Sequence, residues 1–200
     1  MLFRSILEIL KDAPVAISLD TYKAKVMQAA IEVGVDCIND IWAFRQPHAM
    51  EVVAKHSCGV MLMHMQKDPK TMQFDPHYED VVSEVNGFLV ERCVALEDEG
   101  VARERLAIDP GFGFGKTVQH NMLMLADFRT FCQHGLPVVA GISRKSSLGA
   151  ITGRDVDHRV TASVAAALMT IERGARIVRV HDVGPTMDAV KIWSAAQDSL

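Results

Sequence analysis

Six short apolar runs punctuate this sequence, and each ends on a polar residue before a stretch of helical period. They are Val15–Leu19 before Asp20, Val35–Ile38 before Asn39, Val60–Met63 before His64, Leu106–Ile108 before Asp109, Val138–Ile142 before Ser143, Arg144 and Lys145, and Ile177–Val178 before Arg179 and His181. Short apolar runs read as buried strands, and the apolar spacing between them predicts helices over 22–33, 47–56, 78–99, 119–133, 158–173 and 185–197. Gly34, Gly100 and Gly174 stand where helices would close in a left-handed cap. Strands alternating with helices are parallel and carry their carboxyl ends on one face. Polar side chains far apart in sequence are therefore expected to converge.

Two α/β architectures fit this rhythm. An open doubly wound sheet gathers function at one switch point, so only some strand ends need be polar. A TIM (β/α)8 barrel points every strand end into one mouth. All six strands here end polar, which favours the barrel, with about six of the eight βα units present. Residues 1–200 are read as one domain, because this length suits a single core. The longest loops, 65–77 and 110–118, follow strand carboxyl ends, where loops of α/β proteins carry function.

Composition narrows the function classes. The chain is 49% hydrophobic and 23% charged with a net charge of −4, and no local Lys/Arg cluster forms a nucleic-acid footprint. No apolar run approaches the roughly 20 residues of a membrane span. Leu2–Leu10 is amphipathic and broken by Arg4, Ser5 and Glu8, unlike a signal peptide. Cys37, Cys58, Cys93 and Cys132 form no Cys-x-x-Cys pair, so they read as reduced cysteines of a cytoplasmic protein.

Each polar strand end has a plain structural alternative. Asp20-Thr21 and Asn39-Asp40 both suit helix N-caps, although a buried carboxylate or carboxamide at a strand end is costly without a partner or ligand. His64, alone in a Met-rich strand, reads as a core histidine. The stretch from Asp109 to Thr117 ends like a phosphate-binding loop, but Pro110 stands where that motif needs its first glycine. Proline removes an N–H and fixes φ, which argues against a nucleotide triphosphate cradle. The glycines instead let the loop run close over a flat ligand, with Phe112 or Phe114 as a wall. Lys145 after an apolar strand, and Arg179 with His181 on one side of another, call for an anion such as phosphate or pyrophosphate.

With these residues in order, the chain resembles the dihydropteroate synthase family, the folate-pathway enzymes that sulfonamides inhibit. The resemblance runs from about Pro14 to the C-terminus. It rests on Ser18–Thr21, Ile38–Ile41, Met63–Gln66 with Pro69–Gln73, Leu106–Lys116, Ser143–Ser146 and Arg179–Asp182. It implies a transferase in which the amine of p-aminobenzoate attacks 6-hydroxymethyl-7,8-dihydropterin pyrophosphate and expels pyrophosphate, usually with Mg2+. Asp109, Asn39 and Asp20 would then read the pterin edge, with Lys145 donating to pterin acceptors. Met63, Phe114 and Gly141 would form flat walls, and Ser146 matches the position that binds the p-aminobenzoate carboxylate. Lys145, Arg179 and His181 would be the catalytic groups, the last two stabilising the leaving pyrophosphate.

Members of that family carry two further βα units before the first strand seen here, including an Asn that helps bind metal. No metal ligand is therefore expected within this chain, which reads as a shortened form of a longer gene whose activity alone is open. Homodimerisation through the late helices is expected of the full-length protein. The alternatives are a methyltetrahydrofolate-type pterin-binding methyltransferase and a non-catalytic pterin-binding fragment.

Overall fold

A computed structural model of the chain describes residues 2–10 and 12–199. It forms two compact units, one joining the chain up to Met65 with Gly87–Asp109, the other joining Gln66–Asn86 with the chain from Pro110 onward.

In the first unit the order is α1 (Leu2–Leu10), β1 (Ser18–Asp20), α2 (Ala24–Val33), β2 (Cys37–Asp40), α3 (Ala49–Ala54), β3 (Gly59–Met63), the greater part of α4 (Val81–Asp98), and β4 (Leu106–Asp109). The strands pair in the order β1-β2-β3-β4, all parallel. Helical crossovers allow this arrangement, whereas tight hairpins would force antiparallel pairs. Ile38, Leu62 and Met63 are completely buried, and Val60, Leu106 and Ile108 nearly so. Such continuous apolar strands are what sheets covered on both faces require. α2 closes on Gly34 at φ 101°, whose N–H returns to the Ala30 and Ile31 carbonyls, the left-handed cap expected there.

β1, β2 and β4 run on through Asp20, Asn39-Asp40 and Asp109, so these residues end the strands rather than follow them. The parallel ladder sets Asp20 opposite Asn39, Asn39 opposite Met61, and Met63 opposite Asp109.

The second unit holds α5 (Val118–Ala126), β5 (Val139–Ala140), α6 (Ser146–Thr152), α7 (Val160–Glu172), β6 (Ile177–Val178) and α8 (Val183–Gln197). β5 pairs with β6 in parallel, Val139 opposite Ile177. The helix expected over 119–133 breaks at Asp127 and continues as a 3-10 segment, Phe128–His134. Asp127 accepts a hydrogen bond from Thr130 Oγ1 at 3.0 Å, a local bond that competes with helix propagation. Short α6 went unforeseen, because seven residues show too little period. Phe128 is the hinge of the core here: its ring stacks on Phe112 at 6.2 Å and meets Phe131 edge-on at 5.9 Å. α5 starts with a capping box in which Thr117 Oγ1 accepts the His120 N–H and His120 Nδ1 accepts the Thr117 N–H. No helix among the described residues is long and apolar enough to cross a membrane.

Candidate active site

At the strand ends of the first unit, Asn39 Nδ2 donates to Asp20 Oδ1 at 2.6 Å. Asn39 and Asp109 are completely buried, while Asp20 is exposed. Asn39 Oδ1 has no hydrogen-bond partner and no access to solvent. A buried acceptor left unmatched is rare, and an incoming donor would satisfy it. The helix-cap alternative fails for Asp20: Lys23 occupies the N-cap of α2 without a side-chain bond, and the Lys23 N–H goes to Thr21 Oγ1. It fails for Asp40 too, since α3 begins only at Ala49 with His48 at its N-cap; the Asp40 carboxylate closes a turn instead, and Asn39 is left available.

Asp40 accepts the Trp42 N–H on Oδ1 and the Phe44 N–H on Oδ2, both at 2.8 Å. These bonds close a turn in which Ala43 and Phe44 take left-handed φ values of 51° and 57°. Burial pushes the Asp40 carboxyl up to about 6 from its ordinary 3.8, although the two N–H groups, Arg45 and Arg92 pull the other way. Because the folded state binds this proton more tightly than the unfolded state, its contribution to stability is complete below pH 3.8 and is lost as pH rises through about 6. The stability advantage of wild type over Asp40→Asn should therefore shrink between pH 4 and 7, by up to about 3 kcal/mol. Urea unfolding of both proteins across that range measures it; a constant difference would show that Asp40 titrates normally.

In the second unit the loop 110–117 is held on several sides. Lys116 is buried and donates to the Gly111 and Phe114 carbonyls, each at 3.0 Å, so its ammonium serves the loop itself. Tyr78 donates its hydroxyl to the Gly115 carbonyl at 2.9 Å, and Asn121 Oδ1 accepts the Gly113 N–H at 2.8 Å. Gly115 lies at φ 64° with Gln66 so near that a Cβ would meet it at 2.8 Å. Lys145 sets its ammonium 4.2 Å from the centre of the Phe114 ring, a cation–π contact.

Gly141 is where it is because Arg179 lies against it: a Cβ would come within 2.9 Å of Arg179 Nη2. Ser143 Oγ accepts the His181 backbone N–H at 3.2 Å and lies 3.0 Å from His181 Nδ1, which leaves Nε2 as the outer ring nitrogen. Arg144, at φ 56°, forms a two-pronged bond with Asp182 and gives its backbone N–H to Ser163 Oγ. The Arg144 fork holds the Asp182 carboxyl below the usual carboxylate range. Ser146 is exposed at the first position of α6.

The structure thus gathers Asp20, Asn39, Met63 and Asp109 in one unit, and Phe114, Gly141, Lys145, Ser146, Arg179 and His181 in the other. Ser143, Arg144 and Asp182 escaped the assignment of individual site residues. Their available signals were their place in the motifs Ser143–Ser146 and Arg179–Asp182 and, for Arg144 and Asp182, opposite charge. His64 is buried, meets the Phe88 ring edge-on at 4.9 Å, and gives its backbone N–H to the Asp109 carbonyl at 2.9 Å. Among the described residues no three His, Cys, Asp or Glu side chains are placed to hold a metal ion. Mg2+ normally takes one or two carboxylates together with substrate phosphates and water. These side chains do not by themselves make such a site.

Comparison with known proteins shows the family and the fold class. Residues 2–181 match the family model described as pterin binding enzyme. The dihydropteroate synthase of Haemophilus influenzae is 48% identical over 92% of this chain, and the chain spans 66% of that protein. Against the Escherichia coli dihydropteroate synthase the share spanned is 64%. The Stenotrophomonas maltophilia dihydropteroate synthase structure superposes with a TM-score of 0.95 at 53% identity, covering 97% of this chain and 74% of that one. The Xanthomonas albilineans enzyme with 7,8-dihydropteroate gives 0.91 at 46% identity, covering 97% and 70%. With 4-aminobenzoic acid it gives 0.92 at 47%, over the same shares. The fold class is that of these neighbours, an α/β TIM barrel, represented among the described residues by a four-stranded and a two-stranded parallel sheet.

Proposed function

This chain belongs to the pterin-binding enzyme family, and from that premise we propose that it carries dihydropteroate synthase chemistry in folate biosynthesis. The aromatic amine of p-aminobenzoate attacks the exocyclic methylene of 6-hydroxymethyl-7,8-dihydropterin pyrophosphate. The C–O bond to pyrophosphate breaks, the amine loses a proton, and 7,8-dihydropteroate and pyrophosphate leave. The observation that carries the reading is Asn39: completely buried, tied to Asp20 through its amide, with its Oδ1 unmatched. A pterin's amino-pyrimidinone edge supplies the donor that Oδ1 lacks, and Asp109 is a buried carboxylate able to accept two more bonds from the same edge.

The cations are Lys145, Arg179 and His181. Lys145 donates to the pterin acceptors from its place over Phe114, and Ser146 takes the p-aminobenzoate carboxylate. Arg179 and His181 hold the pyrophosphate, Arg179 laid flat on Gly141 and His181 anchored by Ser143. An aromatic amine is largely unprotonated near neutrality, so the work is positioning and leaving-group stabilisation rather than base catalysis. Mg2+ would supply charge neutralisation for the pyrophosphate, for which the described side chains offer no ligand set of their own. We also assign the chain to one cytoplasmic domain and to a homodimer when full length, through α7 and α8, where Val183, Met187 and Ile192 are exposed.

The test is the purified chain with both substrates and Mg2+, product read by chromatography, beside calorimetry with 6-hydroxymethylpterin. Pterin binding with dihydropteroate formation is the expected result. Binding without product would assign the chain the role of a pterin-binding fragment, a reading favoured by its spanning 66% of the H. influenzae relative. No pterin binding would overturn the proposal.

A further inference from the structure

We propose that Arg45 is a positioning residue for the pterin edge: its guanidinium, slotted between Trp42 and Phe88, fixes the ends of β2 and β3. The inference rests on the pterin reading above and goes beyond it to a side chain that touches no substrate. The guanidinium lies 5.2 Å from the Trp42 ring centre and 5.3 Å from that of Phe88. Its Nε donates to the Trp42 carbonyl at 2.9 Å, and its Nη2 reaches the Met65 carbonyl at 3.5 Å.

Each contact leads to a residue of the site. On one side, Trp42 begins the left-handed turn that Asp40 closes, and Asp40 follows Asn39 directly. Arg92 seals that turn from α4, donating to the Ala43 carbonyl at 3.0 Å and the Phe44 carbonyl at 3.4 Å. On the other side, the Phe88 and His64 rings meet at right angles with centroids 4.9 Å apart, and the His64 N–H holds the Asp109 carbonyl. Tyr22, in the loop after β1, extends the row by meeting Trp42 at 6.4 Å. One planar cation thus sits in the middle of an aromatic row that joins the loops after three consecutive strands.

The slot selects arginine on chemical grounds. A guanidinium is flat, stacks on two rings at once, and keeps in-plane donors for two carbonyls. An ammonium of equal charge has no flat face to lay against two rings while it donates to both carbonyls. Loosening the strut lets Asn39 shift against Asp109, and displacements near 1 Å at a site can cost roughly a hundredfold.

Calorimetric titration of the full chain with 6-hydroxymethylpterin tests this, using Arg45→Lys, Arg45→Met and Trp42→Leu, with Arg103→Gln as a surface control. Hydrogen exchange of the His64 amide is followed in parallel. All three slot variants should lose about tenfold in affinity (the charge-keeping lysine included), and the His64 amide should exchange faster. Melting temperatures should stay within about 3 °C. Wild-type affinity in Arg45→Lys and Arg45→Met overturns the inference, and so does a loss that tracks a fall in melting temperature beyond that range. If the wild-type chain itself binds no pterin, the functional reading fails separately. Exchange at His64 then decides the strut, faster supporting it and unchanged overturning it.

Discussion

Asp109→Asn should reduce pterin affinity at least a hundredfold while leaving the fold intact. The carboxylate is completely buried at the end of β4, and its backbone is held independently, its carbonyl accepting the His64 N–H. Asparagine keeps the volume but turns one acceptor toward the pterin as a donor. Two charge-assisted bonds, each about 1.5–3 kcal/mol, are then lost or replaced by a donor–donor clash. Calorimetry with 6-hydroxymethylpterin measures the loss, and an unchanged melting curve establishes that the effect is local. Retained affinity would refute the assignment of the pterin edge to this strand end.

Phe128→Ala should destabilise the second unit by about 3–5 kcal/mol. Phe128 is fully buried between Phe112 and Phe131, so truncation leaves a hole that both remaining rings border. The damage should reach the chemistry, because Phe112 opens the glycine loop whose Phe114 ring underlies Lys145. A melting temperature lower by roughly 10 °C and a matching drop in the urea midpoint are expected. Phe128→Leu, which fills most of the space, should lose far less. An unchanged midpoint for the alanine variant would show that this cluster is not the centre of its unit.

The strands and their polar ends were legible because burial on both faces writes a continuous apolar run, and a polar residue can end such a run only where something receives it. Asp20, Asn39 and Asp109 illustrate this. What the local pattern could not apportion was the roles within the pair Asn39-Asp40: Asp40 closes a turn with two left-handed residues rather than capping a helix, and Asn39 is left unmatched. Helix 119–133 was overextended because apolar spacing continues through Phe128 and Phe131, while the bond from Thr130 to Asp127 ends the helix before them. Ser143 with His181, and Arg144 with Asp182, are partners 38 residues apart. Such contacts are created by the pairing of β5 with β6 and leave no trace in local spacing. Pro110 argues against a nucleotide role for Lys116, and the structure adds that its ammonium donates to two carbonyls of its own loop.

The box that starts α5 carries a further consequence. Its second bond requires His120 Nδ1 to act as an acceptor, so the imidazole must be neutral with its hydrogen on Nε2. A protonated ring would turn N–H against N–H at the positive end of a helix. Burial, then Lys116 and His77, hold the His120 pKa below its ordinary 6.5. The downstream anchor of the glycine loop is thereby kept through mild acidity that would charge an ordinary histidine.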